Sequence, residues 1–416
     1  SVLWYAAPEA KDWSDKYVPQ FESLTGIKVD LHPEAFDTIR EKGVSDLTAH
    51  SKIYDVIYGP AHNIGTFYAT GSLEPLDKYL ADHPEFDLGD YLKPTIDLQA
   101  RAHGHLTQIY GIPTYYGSIL YYYRKDLIDD LDEKKAFKAK YGYELTPADG
   151  AKGGTYKQLR DIAEFFTRPD KGLYGMDLMA RRGWDSYLQL FPFLYGYGAD
   201  LMDDYWQPKK CTINTPQGVE ALKMFVSLKR YCPPGVATHG FGELYTNLAA
   251  GKAAQAIYWG APAAIVEDPE KSKVASPDKI NFGRVPTGDP SIEAKTLFGG
   301  WQLYLSADVE PKRKEAGFEF MAWMQSKEMD MTLAAAGLGT DRVSTLQNPE
   351  LQKKWWHFPA LLDGAYHSKA EPQTELFAKI EEVATVYYTE AFAETMTVEK
   401  AVSTLEAELN ATLATG

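Results

Sequence analysis

Cysteine is scarce in this sequence: Cys211 and Cys232 are its only two in 416 residues. That is too few for a cysteine-based zinc site, and their spacing matches no redox motif. No apolar run approaches the ~20 residues that a helix needs to cross a bilayer. Positive charge is in deficit, with 43 Lys and Arg against 58 Asp and Glu and a formal net charge of -15. Proteins that bind nucleic acid hold its phosphates with clustered Lys and Arg, so that class is set aside. No basic amphipathic stretch points to a membrane surface. Also missing are a Gly-x-Ser-x-Gly elbow, a His-Glu-x-x-His helix, a P-loop, a Gly-x-Gly-x-x-Gly fingerprint and any internal repeat.

Aromatic residues are plentiful, with 28 Tyr, 18 Phe and 9 Trp. The stretch "YGIPTYYGSILYYYRKDL", residues 110–127, carries five tyrosines between Tyr115 and Tyr123. Tyr suits a surface that is apolar on its face and polar at its tip, as the wall of a wet pocket is. Strand alternation sends Tyr121 and Tyr123 to one face and Tyr122 to the other, which predicts sheet packing for those three.

Strand-like and helix-like segments alternate through the first half. "VLWYAA", "IKVDLH" and "YDVIYG" read as strands, separated by helices ending near Gly26 and His50. This order implies parallel βαβ units. Ligands of open α/β sheets bind beyond the carboxyl ends of the strands, so Ala6–Glu9 and Gly59–Asn63 are expected to line a site. A second α/β unit begins at "TYKQLRDIAEFF", with "YGMDLMA", "CTIN", "AAQAIYWG" and "KINFGRVP" as further strands, and the chain after residue 310 reads as mostly helical. Cys211 and Cys232 flank one strand–helix unit. If its two halves run antiparallel, the sulfurs share an end and a disulfide is expected; two unlinked thiols are the alternative. The chain starts at Ser1 without Met, as does a mature N-terminus left by signal-peptide removal or a trimmed chain.

The order of segments resembles the extracellular solute-binding proteins of bacterial ABC importers, the sugar-binding family that includes maltose-binding protein. "FESLTGIKVDLH", "YDVIYGPAHNIGTFYATGSLEPLD", "GIPTYYGSILYYYRKDL", "TYKQLRDIAEFFT", "GKAAQAIYWG", "FGGWQLYLS" and "KRKEAGFEFMAWMQSKE" follow in the family's order across nearly the whole chain. The resemblance implies an α/β, two-lobe periplasmic-binding-protein fold. Each lobe would be a sheet flanked by helices, the two joined by a multi-strand hinge. Residues 1–115 with 286–306 would form the N-terminal lobe, and 116–285 with 307–416 the C-terminal lobe. It further implies a carbohydrate or polyol ligand held between the lobes, which close on it by a hinge motion. A membrane permease is the implied partner, the state monomeric and the place the periplasm, with no cofactor, metal or catalysis.

A sugar presents hydroxyls at its rim and C–H patches on its faces, and so calls for aromatic platforms and multivalent polar groups. Tyr115, Tyr116 and Ser118 lie at the crossover where the family places ligand contacts. Trp184 and Asp185 open a helix, the alternative being a hydrophobic staple beside an N-cap. Trp259 matches the family's stacking Trp, against a plain core Trp at a strand end. Gly299 and Gly300 are expected to let backbone amides approach a ligand, or else to mark a tight turn, and Trp301 to serve as a wall. His62 and Asn63 replace the acidic–basic pair of maltose-type members, which argues against a maltose-like ligand; a structural or merely exposed His62 is the alternative. Asp341 and Arg342 resemble the family's Gly-x-x-Pro-x-Arg loop with Asp in place of Pro, and Arg342 is suited to fork onto vicinal hydroxyls or a carboxylate, a helix-joining surface loop being the alternative. Glu9, past the first strand, completes the set. A glycoside hydrolase is the rival reading and needs two carboxyls facing each other across a scissile bond.

Overall fold

A computed structural model describes residues 1–6, 10–260 and 263–415. The near-continuous apolar run of β1 (Val2–Tyr5) is buried on both faces, as suits a parallel strand covered by helices. It pairs in parallel with β2 (Leu31–Glu34) on one side and β3 (Val56–Pro60) on the other. The helix Val18–Thr25 between β1 and β2 stops at Gly26, whose φ of 76° lets its N–H reach back to the Glu22 carbonyl. The helix Phe36–Ala49 joins β2 to β3. This is the βαβ pattern that the sequence predicts.

The sheet continues through two long strands. β4 (Gly111–Arg124) pairs antiparallel over its second half with β5 (Gln255–Trp259) and β6 (Ile280–Gly283). β7 (Thr296–Leu305) lies between β3 and β4, antiparallel to both, and β8 (Ser368–Ala370) runs parallel beside its start. The result is one eight-stranded sheet with the path β2-β1-β3-β7-β4-β5. β4 and β7 therefore carry the chain from one half of the molecule to the other. Tyr121 to Tyr123 are sheet packing as predicted: Tyr121 stacks on Tyr123, while Tyr122 meets Phe282 from the other face.

Buried apolar side chains gather in two clusters around β1–β3 and a larger one built from β4–β6 and the helices that follow them. Three expectations need correction. The helix Pro311–Met324 packs Phe318, Phe320 and Met321 among Trp4, Phe21 and Leu305, so this part of 307–416 lies with the core of the first strands. "YGMDLMA" and "CTIN" form only isolated bridges, Tyr174 and Asp177 to Ala253 and Ala256, and Met202 to Cys211.

The third correction concerns the cysteines, which are buried free thiols. The helix Pro216–Leu228 has 13 residues and so is about 20 Å long. The short run from Cys211 to its start spans at most about 17 Å and cannot turn back along that length. Instead the Cys211 N–H donates to Asn410 Oδ1, and the Cys232 thiol donates to the Leu228 carbonyl.

Candidate functional site

A continuous run of rings links the two halves of the molecule. Trp301, opposite Pro60 and Tyr115 in the sheet, stacks on Tyr5 with centroids 4.8 Å apart and lies 4.9 Å from Tyr58. Phe36, at the start of its helix, meets Trp301 edge-on at 5.8 Å and Trp184 at 5.0 Å. Trp184 lies nearly parallel to Trp259, 6.1 Å away at 13°. Three predicted residues, Trp184, Trp259 and Trp301, thus come together. Phe36, Tyr5 and Tyr58 join them without having been singled out, although Tyr5 and Phe36 are aromatics at an element's end.

Local structure aims these rings. Trp184 begins the helix Trp184–Gly196 directly after Gly183, whose φ of 111° is closed to ordinary side chains. Asp185, the next residue, accepts Arg181 Nε at 2.9 Å and the Phe241 N–H at 3.0 Å. Its burial raises its pKa against the pull of Arg181. Asp185 therefore ties the helix start to its neighbours and does not face the ring group as a free carboxylate. Gly299 and Gly300 act differently from expectation. A Cβ at Gly299 would stand 2.6 Å from Trp259 Cη2, and one at Gly300 would stand 2.3 Å from the Tyr115 carbonyl oxygen. Their bareness seats Trp259 and a neighbouring strand.

His62 and Asn63 lie in a short turn after β3 and are buried. His62 Nδ1 is 2.9 Å from Glu371 Oε1, and its ring stacks on Phe377 at 4.2 Å and lies 6.5 Å from Trp184. Tyr115 is half-buried with its ring close to Gly339. Tyr116 and Ser118 instead face the interior. The Tyr116 hydroxyl donates to the Leu361 carbonyl at 3.2 Å, and Ser118 Oγ sits against Gly364.

Asp341 and Arg342 stand apart from the rings. Arg342 is 1% exposed and donates to the carbonyls of Phe86 and Gln325 at 2.8 and 2.7 Å. Its guanidinium also lies over Tyr91 at 4.7 Å, so it pins chain segments together and has no fork free for hydroxyls. Asp341 is fully buried, and burial, with Asp330 adding to it, holds its carboxyl well above the usual range. Glu9 lies outside the described residues.

The strongest chemical signal comes from buried polar atoms with no hydrogen-bond partner among the described residues, which include Trp184 Nε1, Trp259 Nε1, the Tyr187 hydroxyl, Asn63 Oδ1, Glu371 Oε2, both amide atoms of Gln99 and both carboxyl oxygens of Asp341. Buried polar groups are normally paired, so each of these is an unmet demand. Donors and acceptors are both present, and one kind of group satisfies both: a hydroxyl. Gln99 and Glu371 escaped sequence reasoning because neither belongs to a motif. A cavity of about 410 Å³ lies elsewhere, lined by residues such as Val343, Leu362 and Tyr366, and shares no residue with this group. No three His, Cys, Asp or Glu among the described residues are placed to hold a metal.

Comparison with known proteins bears on this arrangement. Residues 7–331 match the family described as bacterial extracellular solute-binding protein. A mannitol-binding protein of Pseudomonas aeruginosa is 27% identical over 293 residues, 70% of this chain; the match spans 60% of that relative's length. A probable amino-acid ABC transporter periplasmic-binding protein of Sinorhizobium fredii is 25% identical over 94% of this chain and 83% of its own. A solute-binding protein of an ABC transporter from Agrobacterium radiobacter K84, solved in complex with ribitol, superposes with a TM-score of 0.82 at 20% identity, covering 98% of this chain and 97% of its own. The fold is the same two-lobe fold.

Proposed function

Because this chain belongs to the bacterial extracellular solute-binding proteins, we propose that it captures a carbohydrate or polyol between its lobes and delivers it to the membrane permease of an ABC importer. The unpartnered donors and acceptors around Trp184, contributed by both halves of the molecule, carry this reading. Parallel and edge-on rings offer apolar faces to C–H patches, while Asn63, Gln99 and Glu371 offer hydrogen bonds to the hydroxyls. The mannitol and ribitol named for two relatives are ligands of this chemistry. On the same proposal it works as a monomer in the periplasm; no helix among the described residues is long and apolar enough to cross a membrane.

The chain binds its ligand without converting it. A glycoside hydrolase has no support among these relatives, a mannitol-binding protein and a probable periplasmic-binding protein of an ABC transporter. The test is a melting-temperature screen with D-mannitol, ribitol, D-tagatose and maltose, and an amino-acid panel beside them. A ligand present at a hundred times its Kd stabilises the folded state by about 2.7 kcal/mol, so a clear rise is expected for at least one polyol or sugar. A rise with amino acids alone would overturn the carbohydrate reading. Recovery of the added compound unchanged would confirm binding over catalysis.

A further inference from the structure

Residues 371–374 form a short strap that belongs to one half of the molecule and rests on the other. At its start Ala370 pairs in β8 with Phe298 and accepts the Tyr195 hydroxyl at 2.9 Å. In its middle the Gln373 N–H donates to the Tyr205 carbonyl at 2.7 Å. At its far end Phe377 is buried in the larger cluster. The strap is therefore fixed to the C-terminal core. Its other face meets the first strands' half. Glu371 Oε1 pairs with His62 Nδ1, with the side chains 5% and 4% exposed. His103 Nε2 approaches the Glu371 carbonyl at 3.3 Å. Outside the strap, Arg40 and Glu381 face each other at 3.7 Å across the same seam.

Gly65 is where this seam is tightest. A Cβ there would stand 1.9 Å from the Gln373 carbonyl oxygen and 2.7 Å from the backbone of Thr374. Gly65 lies in the helix Ile64–Ala69, whose conformation suits any residue. The three atoms nearest to that Cβ all belong to the strap. The demand arises only when the two halves meet.

We propose that Glu371 is a binding residue which the closed molecule alone completes. One of its oxygens clasps His62 across the seam, the other takes a ligand hydroxyl, and Gly65 is bare so that the strap can seat. The unpartnered Glu371 Oε2 supplies the acceptor. The proposal rests on the solute-binding reading, and it adds a reason why closure and binding are one event: a ligand shifts a two-state equilibrium only through contacts that differ between the states. Removing His62 from Glu371 by opening the lobes takes away the partner that orients the carboxylate.

The experiment is a distance measurement between spin labels on Leu24→Cys and Leu131→Cys, which replace side chains 68% and 80% exposed, one in each half. The native thiols are buried and remain unlabelled under native conditions. Distances are recorded for the labelled chain alone and with D-mannitol, ribitol or maltose. The expected result is a short and a long population, the short one depleted about tenfold or more by Gly65→Ala and by the nearly isosteric Glu371→Gln, as befits loss of a buried contact. Gly242→Ala is the control, because its Cβ meets nothing within 4 Å. Distance distributions that stay native in both folded variants overturn the proposal, as does a labelled parent chain with one long distance under every condition. If the variants shift the distances while amino acids alone raise the melting temperature of the parent chain, the clasp between the halves stands, and the hydroxyl ligand of Glu371 falls with the carbohydrate reading.

Discussion

Trp259 rests on glycine at two points, with the positions of would-be methyl groups 3.3 Å from its ring at Gly117 and 2.6 Å at Gly299. A methyl group at Gly299 has to push the indole away, because the atoms it meets belong to a rigid ring. Gly299→Ala is expected to destabilise the fold by about 1–3 kcal/mol, the usual cost of overpacking, read from urea denaturation. It should also tilt Trp259 away from Trp184 and weaken binding further than the stability loss explains. Trp259→Ala removes the ring altogether. In a folded variant it should cost at least ~1 kcal/mol of binding to whichever polyol or sugar the parent chain takes, measured by tryptophan fluorescence titration. An affinity equal to the parent's would remove Trp259 from the site. The contrast between these two aromatic neighbours shows what the sequence holds at this scale. Trp184, Trp259 and Trp301 are visible as tryptophans at element ends. Arg342 could not be assigned from the sequence, because the carbonyls that engage it belong to Phe86 and Gln325, 256 and 17 residues away.

At the scale of elements, β1 and β3 are legible because each is a short apolar run closed by a turn or a helix start, whereas β2 begins later than "IKVDLH" suggests, at Leu31, and runs through the polar and Pro-containing Leu31–Glu34. The failures are segments whose ladders are too short to leave a period. "YGMDLMA" touches its neighbour only at Tyr174 and Asp177, and no alternation can be read from two bridges. The cysteines went wrong for a related reason: placing them together required a strand that returns the length of the helix, and the chain before Pro216 is too short for it. Thiol titration of the denatured, unreduced protein is therefore expected to find both Cys211 and Cys232 reactive. A single locked pair would contradict this packing. Glu371 was the hardest residue to foresee, since its position depends on β8, a strand of 3 residues that gains its place only from β7.

Taken whole, the molecule has a seam between its halves, and one residue there makes the seam sensitive to acid. Burial pushes the His103 imidazole down to about 4, against the ordinary value near 6.5 in an unfolded chain. As pH falls through that window, the unfolded chain takes up a proton that the folded one refuses, so stability is lost on acidification and is full above about 6.5. Chemical denaturation at pH values from 7 to about 4 should show this decline, and His103→Gln should flatten part of it. The sheet has a different kind of consequence. β7 lies between β3 and β4, yet its residues, 296–305, come late in the chain. A nascent or threading chain shorter than that has β3 and β4 finished in sequence but without the strand that joins them. Each then offers a naked row of backbone donors and acceptors, the kind of edge that recruits other chains. A fragment of residues 1–285 is expected to aggregate and to show no cooperative unfolding transition, in contrast to the whole chain. Such a polypeptide has to keep those edges apart until its last third emerges, and slow, long-range pairing lengthens that interval.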